Sequence, residues 1–457
     1  MDLNIDAHLI RSSGQTVQAV TPSQVDDSRT SVVETASSPV VADPEEAGIG
    51  REVAQTKTRP NRSRPASNGI SLGINVKSFG ATGNARKIVD AVALNGTNTV
   101  SHAKASFTAA DIGKMVWGTN SAGANVLTPR TVTSFRSANE ITVSGPPLGG
   151  WRGLSLVIGT DDTAAIHAAV KAVEAQPNRG SIIIPSGGYI TSSTPFVFTA
   201  DPVAFTLPSI IGEGSASTSF FPAPNSTFTS NCIFNYDSLN GRKHVQGITV
   251  DGSNGTFVAK NVMYISTSAN GNTLQDVRVV SFTSVFAALT ISSARTTLQH
   301  CHIETIGGGR GIFCNGGLFF IDSYSGNCGY RSIDVANGGL TVVRGILDES
   351  NAGTVYLTNS TASFTDALVY AGASYTAVEA DGRSVVRALQ SNFIPFSSNQ
   401  NCTGLKLHSG AKAYLNQCIM NGSGTGHGLH NEGTVYDGGN NMAGTKTGAG
   451  KITRLSL

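Results

Sequence analysis

The sequence predicts an all-β chain dominated by a single-stranded right-handed parallel β-helix, a solenoid with an N-terminal capping helix and a small β-rich insert. Three observations predict it. Two kinds of apolar-alternating segment interleave along the chain with one shared period. The 457 residues include 52 Gly, and only 14% are charged. Low charge with many Gly, Ser, Thr and Asn suits a turn-rich β protein better than a helical one.

From the N-terminus, residues 1–70 are polar and aperiodic, and cannot bury enough apolar surface to offset their ordering entropy. They read as a flexible tail, or as a peptide that orders when docked on a larger assembly. Residues 71–160 form the β-rich N-terminal and insert region, opening at INVKSFGATGN and running through stretches such as TVTSF and EITVSG. Residues 161–200 carry the capping helix and first coil. Asp161 or Asp162 can cap that helix, and Ala165, Ile166, Ala169, Val170 and Val173 recur at helical spacing. The β-branched run Ile182–Ile184, closed by Pro185 and two glycines, reads as a buried strand and a turn. An amphipathic helix there would shield the open end of the solenoid core.

Residues 201–440 are the parallel β-helix, and 441–457 a C-terminal tail. One strand type reads LQDVRVV from Leu274, LQHCHIE from Leu298, LFFIDSY from Leu318, LTVVRGI from Leu340, ASFTDAL from Ala362 and SVVRALQ from Ser384. The second reads VMYIS from Val262, ALTIS from Ala288, GIFCN from Gly311, SIDVA from Ser332, TVYLT from Thr354, AVEAD from Ala377, GLKLH from Gly404 and GLHNE from Gly428. Starts lie about 20 to 27 residues apart, which means one coil per repeat and about eight coils between Val245 and Tyr436. A leucine-rich repeat shares the period but not the pattern, and a propeller blade needs about 40 residues. Coils stack at roughly 4.8 Å. Gly and Asn are expected at the corners, where positive φ is needed.

FGATG, DDTAAIHAAV and IIIPSGGY, in that order, resemble the N-terminal signature of pectate-lyase-like β-helix proteins, especially phage tailspikes and their bacterial relatives. Here Ala85–Gly159 intervene, similar to the small β-rich insert of some tailspike-type proteins. The resemblance implies a phage tailspike or receptor-binding fibre that recognises, and depolymerises, bacterial surface polysaccharide. It implies a homotrimer in the virion, with residues 1–70 docking onto tail or capsid proteins. Two alternatives stay open: a secreted bacterial polysaccharide lyase or glycoside hydrolase, and a non-catalytic fibre or decoration protein. The polygalacturonase signatures N-T-D, D-D, H-G and R-I-K are missing as an ordered set, G-H-G at Gly426–Gly428 being a lone fragment. The acidic calcium cluster of classical pectate lyases is missing too. Lyase or endo-glycosidase is therefore not decided by motif.

A net charge of +2 without clustered Lys and Arg excludes a nucleic-acid surface. No segment has the roughly 18 apolar residues of a membrane span, and no basic-then-apolar leader opens the chain, so no membrane insertion and no secretory signal are expected. Cys232, Cys301, Cys314, Cys328, Cys402 and Cys418 match no zinc spacing. They read as free apolar thiols, with a disulfide between coils left open. No metal and no cofactor are expected.

Alternation in the second strand type points Met263, Leu289, Ile312, Ile333, Val355, Val378, Leu405 and Leu429 inward. Their neighbours form an outward ladder of Tyr264, Thr290, Phe313, Asp334, Tyr356, Glu379, Lys406 and His430. A parallel ladder holds Ser266, Ser292, Asn315, Ala336, Thr358, Asp381, His408 and Glu432. The candidate catalytic residues are Asp334, Glu379 and Asp381; the candidate substrate-binding residues are Tyr356, Lys406 and His408. Two coils separate Asp334 from Glu379, so their backbones lie roughly 9.6 Å apart, near the carboxyl separation of inverting glycosidases, about 6.5 to 9.5 Å. Glu379 and Asp381 lie about 7 Å apart along one strand. Tyr356 offers a sugar an apolar platform. In the other chemistry, Lys406 or His408 abstracts a proton beside a uronate carboxylate. The bland alternative is solvated surface, with Glu379 and Lys406 an ordinary ion pair. A competing column of Arg278, His302, Asp322, Arg344 and Asp366 reads as a neutralised charge ladder or a trimer contact. Asp348 and Glu349 fall in a turn, as does Asp251.

Overall fold

The computed structural model describes residues 73–120, 125–176, 180–198, 208–228, 232–237, 244–252, 261–266, 271–282, 285–305, 309–348, 350–372, 375–395, 402–422, 427–439, 441–443 and 445–454. The expected tail at 1–70 with its docking role, Glu349, and Gly426 of the G-H-G fragment lie outside them.

The β-rich insert is a closed antiparallel barrel built from Arg86–Ala93, Thr99–Ser101, Met115–Thr119, Asn125–Ser137, Glu140–Val143 and Trp151–Gly159. Alternate residues such as Ile141 and Val143 point into a core of its own with Ile88, Val100, Val116, Leu127 and Leu156. Its outer face presents Trp117 and Val157 to Ile190, Phe221 and Ala223 of the first coils.

Flanking the barrel, the three motifs of the N-terminal signature meet in space. The helix runs Thr163–Glu174 and buries Ile166, Ala169, Val170 and Val173 on the solenoid core, as its spacing predicts. Asp162 is its N-cap residue, with no side-chain cap bond, and Asp161, one residue before, accepts from the first helical N–H, Thr163 N (3.1 Å). The Asp162 carboxylate turns the other way and accepts from Thr82 N (2.6 Å), Thr82 Oγ1 (3.0 Å) and Gly83 N (3.1 Å). Gly83 has φ +60°, and a Cβ there would lie 2.8 Å from the Tyr189 ring, so only glycine fits between the loop and the GGY strand.

Beyond these, one parallel sheet winds through the chain, from Ile74–Asn75 and Ser181–Ile184 to the C-terminal strands. The architecture is a right-handed parallel β-helix of about eight turns. In the second strand series every expected inward residue is buried, and Met263, Leu289, Ile312, Ile333, Val355, Val378, Leu405 and Leu429 stack in one register. The first series needs two corrections. Leu298 pairs with Phe320 rather than Leu318, and Ala362 with Val386 rather than Ser384. Both slips are two residues, which keeps the inner and outer faces while shifting the rung. Residues 441–454, expected to be a tail, supply three further strands, Asn441–Ala443, Thr445–Thr447 and Lys451–Arg454, paired in parallel to the coil before.

The corners also differ from expectation. His300, Asp322, Arg344, Asp366, Gln390 and Gln417 occupy one corner on successive coils, with φ between 46° and 54°. A non-glycine residue there costs roughly 1–2 kcal/mol. Each offsets it by donating its N–H to a carbonyl of the next coil, as Asp322 N does to Val343 O (3.1 Å) and Arg344 N to Thr365 O (3.0 Å). Asn does fill a second corner, at Asn337 and Asn359. All six cysteines are buried free thiols.

Candidate functional site

Parallel pairing runs Thr290, Phe313, Asp334, Tyr356, Glu379, Lys406 and His430 along one line, so the expected outward ladder exists as a single face. Its two ends are electrostatically different.

At the Asp334 end, the side chain is only 8% exposed and its Oδ2 accepts from Arg310 Nε (2.8 Å) and Arg331 NH1 (3.3 Å). Arg331 lies over the Tyr356 ring at 3.7 Å from its centroid. Arg310 stacks on Phe286 (4.5 Å) and Tyr330 (4.6 Å). Burial and the carboxylates of Asp381 and Glu379 push the Tyr356 hydroxyl up, so it stays a hydrogen-bond donor. Sequence reasoning missed Arg310 and Arg331. They occupy equivalent places two residues before the paired Ile312 and Ile333, so a repeated R-x-I was the available signal.

At the other end, Glu379 Oε1 accepts from Lys406 Nζ (2.9 Å) and His408 Nε2 (2.7 Å). Burial raises the Glu379 carboxyl, but these two hydrogen bonds outweigh it and hold the group below its ordinary value. His408 Nδ1 lies 3.9 Å from Glu432 Oε2, and Glu432 Oε1 also meets His430 Nε2 at 3.2 Å. Asp381 is not aimed at Glu379: its Oδ1 accepts from Asn359 N (3.2 Å) and Ser384 Oγ (3.4 Å), which fixes the corner.

The competing column is not one column. Arg278 and His302 pair with each other and continue through Tyr324 and Ile346, whereas Asp322, Arg344 and Asp366 sit at the left-handed corner. The two-residue slip by which Leu298 pairs with Phe320 produces the offset, so that His302 meets Tyr324 and not Asp322. Asp322 and Arg344 form a two-pronged ion pair (2.7 and 2.8 Å). Asp348 accepts from the Tyr324 hydroxyl (3.0 Å), and Asp251 ends a strand and pairs with Lys87 (3.4 Å). Among the described residues no group of three or more His, Cys, Asp or Glu is placed to hold a metal ion, and no helix is long and apolar enough to cross a membrane.

No family model and no curated protein matches the chain. Solved structures do. The enzymatically active domain of tailspike protein 2 of bacteriophage CBA120 is 13% identical, covering 76% of this chain and 52% of its own, with a TM-score of 0.44. The A-module of a mannuronan C-5 epimerase from Azotobacter vinelandii is 11% identical over 64% of this chain and 94% of its own (TM-score 0.42). The catalytic unit of a GH87 alpha-1,3-glucanase from Streptomyces thermodiastaticus is 11% identical over 82% and 97% (TM-score 0.33). These neighbours are right-handed β-helix proteins.

Proposed function

We propose that the chain is a tailspike-type protein that binds a bacterial surface polysaccharide along the Asp334–His430 ladder and cleaves it by β-elimination. The observation that carries this reading is the shared hydrogen bonding of Glu379, Lys406 and His408 on the same face as Tyr356. With its Nε2–H given to Glu379, His408 keeps a lone pair on Nδ1. Nδ1 takes the proton beside a uronate carboxylate, and that C–H electron pair forms the C=C bond as the glycosidic C–O bond breaks. The departing oxygen takes a proton from Lys406. Glu379 orients the imidazole, and Glu432 faces the imidazolium formed.

Hydrolysis by Asp334 and Glu379 is weaker on two counts. A general acid must face the sugar, and the Asp334 side chain is 8% exposed. It must also hold a proton near neutrality, and Glu379 is held low. The same reading assigns the protein to a phage virion as a homotrimer, with residues 1–70 docked on tail or capsid proteins; the motif resemblance supports it.

The test is incubation of the full chain with capsular polysaccharides and lipopolysaccharides of candidate hosts. The expected result is released oligosaccharide carrying the ultraviolet absorbance of an unsaturated uronate, lost in His408→Ala. Release without that absorbance would transfer the chemistry to hydrolysis. Absence of both binding and release overturns the whole reading.

A further inference from the structure

We infer that Arg310 and Arg331 form a carboxylate-binding subsite of this ladder, so that the glycan is an acidic polysaccharide whose uronate is seated beside Tyr356. The inference rests on the reading above, which already calls for a uronate at His408, and adds a second point of carboxylate recognition on the same face.

The argument begins with how this chain closes its other Asp–Arg pairs. Arg86 meets Asp111 with both prongs, NH1 to Oδ1 (3.0 Å) and NH2 to Oδ2 (2.8 Å), and Lys114 and Thr108 N complete the shell of a fully buried carboxylate. Arg344 likewise gives Nε and NH2 to the two oxygens of Asp322. Each fork is spent. At Asp334 two guanidiniums share a single oxygen, one N–H apiece. The remaining N–H groups of both meet no acceptor among the described residues. One carboxylate between two permanent cations also leaves one guanidinium charge without a directly paired carboxylate among the described residues.

That charge is held in place and partly dry. The Arg310 and Arg331 side chains are 21% and 15% exposed. Ring faces grip them: Phe286 and Tyr330 on Arg310, Tyr330 (4.8 Å) and Tyr356 (3.7 Å) on Arg331. Stacked guanidiniums with fixed planes lose little entropy when an oxyanion docks on their edges, and a planar carboxylate matches the unspent fork. Arg331 lies two coils from Glu379, roughly 9.6 Å along the stack, and Arg310 three. A single glycan strand lying along the ladder therefore touches the subsite and Glu379.

The experiment measures binding of the full chain to bacterial capsular polysaccharides, acidic and neutral, and then repeats it with the bound glycan after chemical reduction of its carboxyl groups. An acidic glycan should bind, and carboxyl reduction should weaken binding about tenfold or more. Arg331→Gln should cost a similar factor on the native glycan and almost nothing further on the reduced one. Arg331→Lys, which keeps the charge but not the fork, should fall between. Because Arg331→Gln leaves Asp334 with one partner and can unsettle the fold, the comparison of native and reduced glycan on the unaltered protein stands by itself. A bound glycan that is neutral, or acidic but indifferent to carboxyl reduction, overturns this inference and leaves polysaccharide binding intact. Anionic groups of another kind, sulfate or phosphate, would appear as that indifference. Failure to bind any polysaccharide overturns both readings together.

Discussion

Single carboxylates do opposite work here according to what surrounds them. Asp162 is desolvated, which pushes its carboxyl above the usual range, yet it accepts three hydrogen bonds from Thr82 and Gly83. Asp162→Ala should strand those backbone donors and lower stability by about 2–4 kcal/mol, read from the urea midpoint; a change under about 0.5 kcal/mol would mean the loop is held some other way. Glu379 acts at the surface instead. Glu379→Gln should cut cleavage at least about tenfold through a misoriented His408, while Asp322→Asn, at an exposed corner pair, should leave activity unchanged and stability within about 0.5 kcal/mol. The reverse pattern would move the site to the other corner. Glu379, Lys406 and His408 were legible because outward positions follow from inward ones once the period is known. The burial of Asp334 was not, because it depends on Arg310 and Arg331, which precede the alternating window that defines each strand.

At the scale of the strand and its corner, the apolar rungs were readable because a solenoid interior accepts few residue types at alternate positions. Corner chemistry was not. His300, Asp322, Arg344, Asp366, Gln390 and Gln417 are all polar but share neither charge nor shape, and what the site requires is a backbone state with a well-placed N–H. Gln390→Val should therefore cost about 1–2 kcal/mol, since a β-branched residue is poorly tolerated at positive φ. Gln390→Gly should come near neutral, its relief of strain offset by a more flexible unfolded chain. Thermal or urea unfolding of the pair decides this; equal losses would place the constraint in the glutamine side chain rather than in the backbone.

For the whole molecule, the insert and the solenoid have separate cores, so their stabilities need not respond alike. Asp111, inside the barrel, is raised by burial but held far below its ordinary value by Arg86 and Lys114. Its contribution is full above the unfolded carboxylate value of about 4 and fades as pH falls from there. The barrel should loosen in acid below about pH 4, and Asp111→Asn should remove much of that dependence. Of the chain's 2 tryptophans, both on barrel strands, Trp151 follows the barrel and Trp117 the seam where the barrel packs on the first coils, while circular dichroism follows mainly the coils. Coincident transitions in both signals would contradict independent cores. Among the coils, Asn337 and Asn359 are the same residue in the same left-handed state, φ 53° and 48°, placed 22 residues apart. The stretch between is thus one excisable winding. Splicing Ala336 to Asn359 would delete the Tyr356 rung, shorten the face by about 4.8 Å and set Asp334 directly against Glu379. The protein is in effect a ruler whose graduations can be removed one at a time, so the spacing between the charged groups it presents can be reset by whole turns of chain.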